Sequence, residues 1–370
     1  MAKGEGHRAR SRHRLGIPSE PRHAHPAGVE LLPQIMKPLY VSSLFPSLLL
    51  LAPLAAQDAI QLQPPKSGKI AFVQLGKQEQ NINAGGQEMN VTQEMTHHFT
   101  IEVTGVADNG TRTFTVTIER INGKLDIPMA GEIEFDSAAK ADGATEEEGE
   151  DGPMGGMGLP SGTKISAGLR ELAGKSFTTE VSADGTIVGI AGFDEARKAA
   201  KQAFGGPAAQ MMEGAFADRG LQGLVRGAIG HLPKEAVSAG SEWETKNDVG
   251  GQLPMEQSLK ITVAKLDAAT AELTYAGESK VKEGARMPMP GAEVEGGKVE
   301  GKATISRADG FTIHSKISSG MSIFAENEMV GEMTIEMKMT SETKRADAAK
   351  AEPKQDEAQK EPAKTPEAGK

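Results

Sequence analysis

The 370-residue chain carries 41 Lys and Arg against 51 Asp and Glu, a formal charge of −10, and has no cysteine. A surface of that sign repels phosphate backbones and anionic headgroups at moderate salt, which excludes nucleic acid as a partner. Without cysteine there is neither a disulfide framework nor a thiol to carry a lipid anchor.

Residues 1–35 hold Arg8, Arg10, Arg12, Arg14 and Arg22 with several histidines and no apolar periodicity. A basic arm of this kind suits nucleic acid when it belongs to the mature protein. Here a secretory signal follows it: Met36-Lys37-Pro38, an apolar run around Leu48-Leu49-Leu50-Leu51-Ala52, then Leu54-Ala55-Ala56. Charge, apolar core and small-residue exit come in the order that signal peptidase reads. The apolar core is too short for a stable span, so no integral membrane protein is expected. The alternative is a buried hydrophobic helix. The pattern predicts a true start at Met36, an upstream extension over 1–35, and cleavage just before Gln57. What remains has 34 basic and 48 acidic residues, a formal charge of −14. Export to a bacterial periplasm or medium fits a large cysteine-free core.

Glu88–Val106 alternates over a long distance. Met89, Val91, Met95, Phe99, Ile101 and Val103 oppose Thr92, Glu94, Thr96, His98, Thr100 and Glu102, the pattern of a half-buried strand. Asp108-Asn109-Gly110 supplies a turn, Phe114, Val116 and Ile118 resume the alternation to Arg120, and Asn122-Gly123 marks a further turn. Ile133–Asp136 is a short strand. From Ser137 to Thr163 an acidic run, Glu146 to Asp151, precedes Met154-Gly155-Gly156-Met157-Gly158. Such a stretch buries too little apolar surface to order itself and reads as a mobile insert. A loose calcium site is the functional alternative there, although the carboxylate spacing of an EF-hand loop is absent.

Ser176–Ser182 and Thr186–Gly192 flank Ala183-Asp184-Gly185 as a hairpin. Asp194 caps a helix to Phe204, and Pro207 opens a second to about Gly230, with Met211, Met212, Phe216, Leu221, Leu224, Val225 and Ile229 on its apolar side. Its glycines weaken it, so it needs a sheet to lie on. Pro233–Asn247 enters a strand anchored by Trp243. Strands follow at Leu259/Ile261/Val263, Ala271/Leu273/Tyr275, Val299/Ala303/Ile305 and Phe311/Ile313/Ile317. Met329, Met333, Ile335, Met337 and Met339 form one face of a final strand. From Ala346 only Ala, Lys, Glu, Pro and similar polar residues remain, a tail of disordered type. The expected fold is α+β, mainly antiparallel: roughly ten strands in a long curved meander, half-barrel or barrel-like, with two packed helices. Residues 57–345 form one β-rich domain, interrupted by the insert over 137–163.

The constellations are sparse. The methionine face suits Cu(I) in an exported protein, with Met287-Pro288-Met289 nearby, but alternate residues on a strand also simply line a core or a cavity. His97 and His98 point to opposite faces and cannot share a metal ion; His231 and His314 complete the histidines after the leader, too few for an evident zinc site. Two S-x-x-K patterns, Ser137–Lys140 and Ser161–Lys164, lack the further motifs of penicillin-recognising enzymes. Neither P-loop, H-E-x-x-H, G-x-S-x-G nor dinucleotide fingerprint occurs. The expectation is no catalytic residue, no cofactor and no metal.

The order of parts, with LAGKSFTTEVSADGTIVGIAGFDEARK over 172–198 and LPKEAVSAGSEWE over 232–244, resembles an uncharacterised family of exported bacterial proteins, domain of unknown function 6263. The likeness covers most of 66–343 through structural features: Asp184-Gly185, Pro233, Gly240 and Trp243. It implies compartment and architecture and brings no chemistry. In outline the fold also resembles periplasmic lipoprotein-carrier half-barrels. The functional expectation is a non-enzymatic protein enclosing a lipid or other hydrophobic molecule, the cavity lined by Met89, Phe99, Ile101, Trp243, Met333 and Met337. An envelope-structural or protein-interaction module with a filled core is the alternative. A hydrolase with Glu242, Glu244 or His231 converging in a cleft is the third.

Overall fold

The computed structural model describes residues 59–128, 131–140, 161–205, 209, 212, 214–249, 255–282, 292–327 and 331–346. The leader, the acidic run, Pro207, Met287–Met289, Met329 and the tail beyond Ala346 lie outside the described residues. In chain order the elements are β1 (Lys69–Ala84), β2 (Gln87–Val106), β3 (Arg112–Ile127), β4 (Gly131–Asp136), α1 (Gly162–Arg170), β5 (Ser176–Val181), β6 (Ile187–Ala191), α2 (Asp194–Phe204) and α3 (Asp218–Ile229). Then come β7 (Glu242–Val249), β8 (Met255–Leu266), β9 (Thr270–Val281), β10 (Glu293–Ser306), β11 (Thr312–Asn327) and β12 (Gly331–Arg345). Among the described residues no helix is long and apolar enough to cross a membrane.

All twelve strands belong to one open antiparallel sheet, in the order β6-β5-β3-β2-β1-β12-β11-β10-β9-β8-β7, with β4 beside β5 on the outer edge of β3. The chain therefore starts in the middle, meanders outward to β6, crosses by α2 and α3, and meanders inward from β7 until β12 meets β1. The expected single meander is two, joined at their inner strands. Their seam runs from Phe72↔Arg345 to Ala84↔Met333.

Four local expectations are corrected. Asn122-Gly123 is no turn: β3 passes straight through it, because a Cβ at Gly123 would lie 2.1 Å from the Glu94 carbonyl oxygen and 2.9 Å from the Phe135 ring. The glycine serves close approach to a neighbouring strand and a buried ring. The insert ends earlier than Thr163, since Ser161 caps α1 by accepting a hydrogen bond from the Lys164 amide at 3.3 Å. That capping bond is the structural meaning of the second S-x-x-K spacing. Ser137, in the first, is buried and accepts from the Ile121 amide. Asp194 is the first residue of α2 rather than its cap, and pairs with Arg197 at 3.5 Å. The long second helix is broken: Ala217 has extended backbone, and α3 restarts at Asp218.

Two apolar clusters lie on the same face of the sheet. The first joins Phe72, Phe99, Ile101, Phe114 and Phe177 of the β1–β5 half to Leu169, Phe204, Leu221 and Val225 of the helices. Phe72 stacks on Phe99 with ring centroids 5.6 Å apart. The second gathers Leu259, Ile261, Leu273, Val299 and Ile305 around Leu62, Leu232 and Val237. The opposite face is polar and carries ion pairs such as Lys260–Glu242 at 2.7 Å and Lys124–Glu132 at 3.1 Å. Exposed pairs of this kind add little stability.

The packing of α1 on α2 turns on Gly168, where a Cβ would stand 2.2 Å from Cδ1 of the buried Phe204 ring. Alanine is the better helix former by about 1 kcal/mol, but overpacking costs roughly 1–3 kcal/mol. We expect Gly168→Ala to lower the urea midpoint; a raised midpoint would show that the ring has room to move.

Candidate functional site

Between the two clusters the sheet and α3 leave a cavity of about 470 Å³, within the range of small-ligand sites. Its floor is the helix-side face of β1, β2, β8, β9, β11 and β12: Gln74, Gln78, Met95, Met255, Tyr275, Ile317, Met321 and Met339 among others. Apolar surface predominates, interrupted by neutral amides and hydroxyls. On a flat sheet β2 and β9, five steps apart, would stand about 24 Å from each other. Their sharing one cavity requires that the sheet bend around it.

The roof is α3, amphipathic in an unusual way. Leu221, Leu224, Val225, Ala228 and Ile229 enter the core, while Gly223, Arg226 and Gly227 border the cavity. A Cβ at Gly227 would sit 2.6 Å from Thr343 Oγ1 and 2.7 Å from Gln74 Nε2, so glycine there lets the helix backbone down onto the β1–β12 seam. At Gly223 a Cβ would meet nothing within 4 Å. The helix thus touches the sheet at one glycine and stands clear of it a turn earlier.

One wall is a chain of buried polar groups. Arg226 Nη1 donates to Asn247 Oδ1 at 2.6 Å. The Asn247 amide nitrogen then faces His231 Nδ1 at 3.5 Å, which makes Nδ1 the acceptor and leaves the ring proton on Nε2. The His231 ring meets Tyr275 edge-on with centroids 5.5 Å apart. Removal from water pushes the Tyr275 hydroxyl up and the Arg226 guanidinium down from their ordinary values. Burial, with help from the neighbouring Arg226 charge, takes His231 down to about 3. His97 borders the cavity from β2, edge-on to Phe216 at 6.0 Å, and burial, with the nearby His98, takes it down to about 4. Both imidazoles are neutral at pH 7. Arg226 keeps its charge, since a guanidinium does not deprotonate in proteins, and its place in the last turn of α3 sets that charge against the negative end of the helix dipole.

The residues read from the sequence as cavity lining are spread along this face. Phe99 and Ile101 are fully buried in the first cluster, and Trp243 packs half-buried against the second. Met337 pairs across the strands with Met321, and Met333 and Met89 continue the same face past Ile335 and Ile82, all half-buried. Met339, Met321, Met95 and Met255 are the methionines at the cavity itself. Glu242 and Glu244 lie exposed on the other face of β7 from the inward Asn247 and do not converge with buried His231. Among the described residues no group of three or more His, Asp or Glu is placed to hold a metal ion. Arg226, Asn247 and Tyr275 escaped the sequence reading as a group. The only local signal was an arginine on the otherwise apolar and glycine-rich inner side of a helix.

Residues 109–312, more than half of the chain, match a family described as a family of unknown function (DUF6263), and the chain belongs to it. No curated protein sequence matches. In fold the chain is similar to a lipovitellin structure titled for its lipid–protein interactions, with 9% identity and a TM-score of 0.39 over 77% of this chain; it spans only 25% of that one. It is also similar to an outer membrane channel from Pseudomonas putida F1, with 7% identity and a TM-score of 0.21 over 78% of this chain and 98% of that one. A DUF1329 family protein from Desulfovibrio piger gives 8% identity and a TM-score of 0.15 over 74% and 85%. At such TM-scores function has to be argued from the site.

The two depressed histidines make stability depend on pH. The unfolded chain binds their protons near the ordinary value of 6.5, whereas the folded protein resists until about 4 and 3. Between those limits the unfolded state holds more protons, so stability falls as the pH falls. We expect the melting temperature to drop between pH 6.5 and 4, and to drop less in a His97→Gln, His231→Gln double variant. Identical slopes would show that both rings are as well hydrated when folded as when unfolded.

Proposed function

We propose that this member of the DUF6263 family is an exported, non-catalytic binding protein that holds a hydrophobic or amphiphilic small molecule between α3 and the bent sheet. The carrying observation is the cavity: about 470 Å³ of space under a helix that contacts the floor at Gly227 and stands off it at Gly223. A filled-core module would close that gap with side chains, as the flanking clusters do. The methionines suit the task, because thioethers repack around ligands of varied shape. Beyond the cavity the half-buried Met337, Ile335 and Met333 prolong the apolar track along the strands. Export is the reading that Met36–Ala56 supports, and it sets such a ligand in the bacterial envelope or medium.

The test is native mass spectrometry of the full chain expressed in a bacterial host and purified from the periplasm without detergent. The expected protein mass begins at Gln57 and carries an added mass released by organic solvent. Ser341 points from β12 into the cavity, and Ser341→Phe is expected to abolish that added mass while keeping a cooperative melt; Ile317→Phe serves if the first variant does not fold. A bare wild-type mass that stays unchanged after incubation with envelope lipid extract would overturn the binding reading. An uncleaved chain in the cytoplasm would overturn export.

A further inference from the structure

We propose that the ligand is a single-chain amphiphile with a carboxylate head, and that Arg226 is the residue that binds the head. This rests on the cavity reading above and adds to it the chemistry of what enters.

Among the described residues, the charged ones at the cavity are Lys77 and Arg226, and no Asp or Glu joins them. The two cations differ in kind. The Lys77 side chain alternates to the opposite face of β1 from Gln78, where it is 40% exposed and neutralised by Glu79 at 2.8 Å and Glu94 at 3.7 Å. Arg226 is half-buried, and its one polar partner among the described residues is the neutral Oδ1 of Asn247. Among the described residues the other titratable groups around it are His231, His97 and Tyr275, and none of these supplies a negative charge at neutral pH. One hydrogen bond leaves most of the guanidinium's five N–H groups without a protein acceptor.

A half-buried charge without a counter-charge is costly to a fold, and natural proteins compensate it with a counter-charge or use it. The counter-charge here is not in the described protein, and the space beside Arg226 is the cavity. A planar fork matches the two oxygens of a carboxylate, with both bonds charge-assisted. The surface leading away from Arg226 is apolar: Met255, Ile317, Met321 and Met339, then Met337 on the open face. A head bound at one end and a flexible apolar track running from it describe a long-chain carboxylate. A neutral hydrocarbon would leave the guanidinium unpaired. A compact anion such as free phosphate would leave the track empty. The Asn247–His231–Tyr275 chain holds the guanidinium from behind, so that its orientation is fixed before the ligand arrives.

The experiment compares palmitate with 1-hexadecanol, which has the same chain and no charge, by calorimetric titration of the delipidated, periplasmically exported protein. We expect wild type to bind palmitate at least roughly ten-fold more tightly, the scale of a charge-assisted contact. Arg226→Met should erase that preference, and Arg226→Lys should keep part of it. Arg226→Gln retains a donor for Asn247 and replaces the methionine variant if that one fails to melt cooperatively. Lys77→Ala should leave the preference intact. Equal binding of the two ligands by wild type, or a preference that survives loss of Arg226, would overturn the headgroup assignment and leave the cavity reading standing. Failure of wild type to bind either ligand would overturn both.

Discussion

The structure depends on the pairing of β1 with β12. Each half of the chain is a meander that holds itself together by neighbouring hairpins, and neither needs the other for its own ladder. Only the seam from Phe72↔Arg345 to Ala84↔Met333 makes one sheet of them. It joins segments about 260 residues apart in sequence, so its loop-closure entropy has to be offset by what the union buries. Phe72 is the anchor: it stacks on Phe99 and meets Phe311 of the other half with centroids 6.0 Å apart. A slip of one residue along the seam would turn Phe72 to the polar face and break that contact between halves, so the aromatic trio fixes the register as well as the union. The cavity inherits this dependence, since β1 and β2 supply one side of its floor and β8, β9, β11 and β12 the other.

The strand segments that pack on the filled clusters were legible, because there the period-two pattern is unbroken, as from Phe99 to Val103 and from Leu259 to Val263. The central strand was not, although everything hangs from it. Residues Lys69–Ala84 present Gln74, Gly76, Gln78 and Gln80 on the helix side, where a core strand would show apolar residues. The reason is the cavity: past Phe72 this face borders open space and a helix backbone held close by Gly227, so nothing selects an aliphatic side chain there. The same physics explains Asn122-Gly123. A glycine required by the Glu94 carbonyl and the Phe135 ring is indistinguishable, in sequence, from one required by a turn. At the candidate site the methionine face was visible as periodicity, but the Arg226–Asn247–His231–Tyr275 wall comes from α3, the loop after it, β7 and β9. No spacing rule connects residues that only the sheet's bend brings together.

Charge is distributed in opposite ways on the two sides of the sheet. The outer face alternates Lys and Glu across neighbouring strands, as in Lys260–Glu242 and Lys265–Glu272, and has no need of a partner. Among the described residues, the helix side brings no carboxylate to the cavity and leaves Arg226 there without a counter-charge. If Arg226 served only to tie α3 to β7 through Asn247, a neutral glutamine could make that bond without half-burying a charge. The helix dipole lowers the cost of placing a cation in the last turn but does not remove it, being worth about 0.3–1 kcal/mol in ordinary settings. An arginine tied to the buried Asn247 and bordering an apolar trough is the arrangement that the proposed carboxylate headgroup would complete.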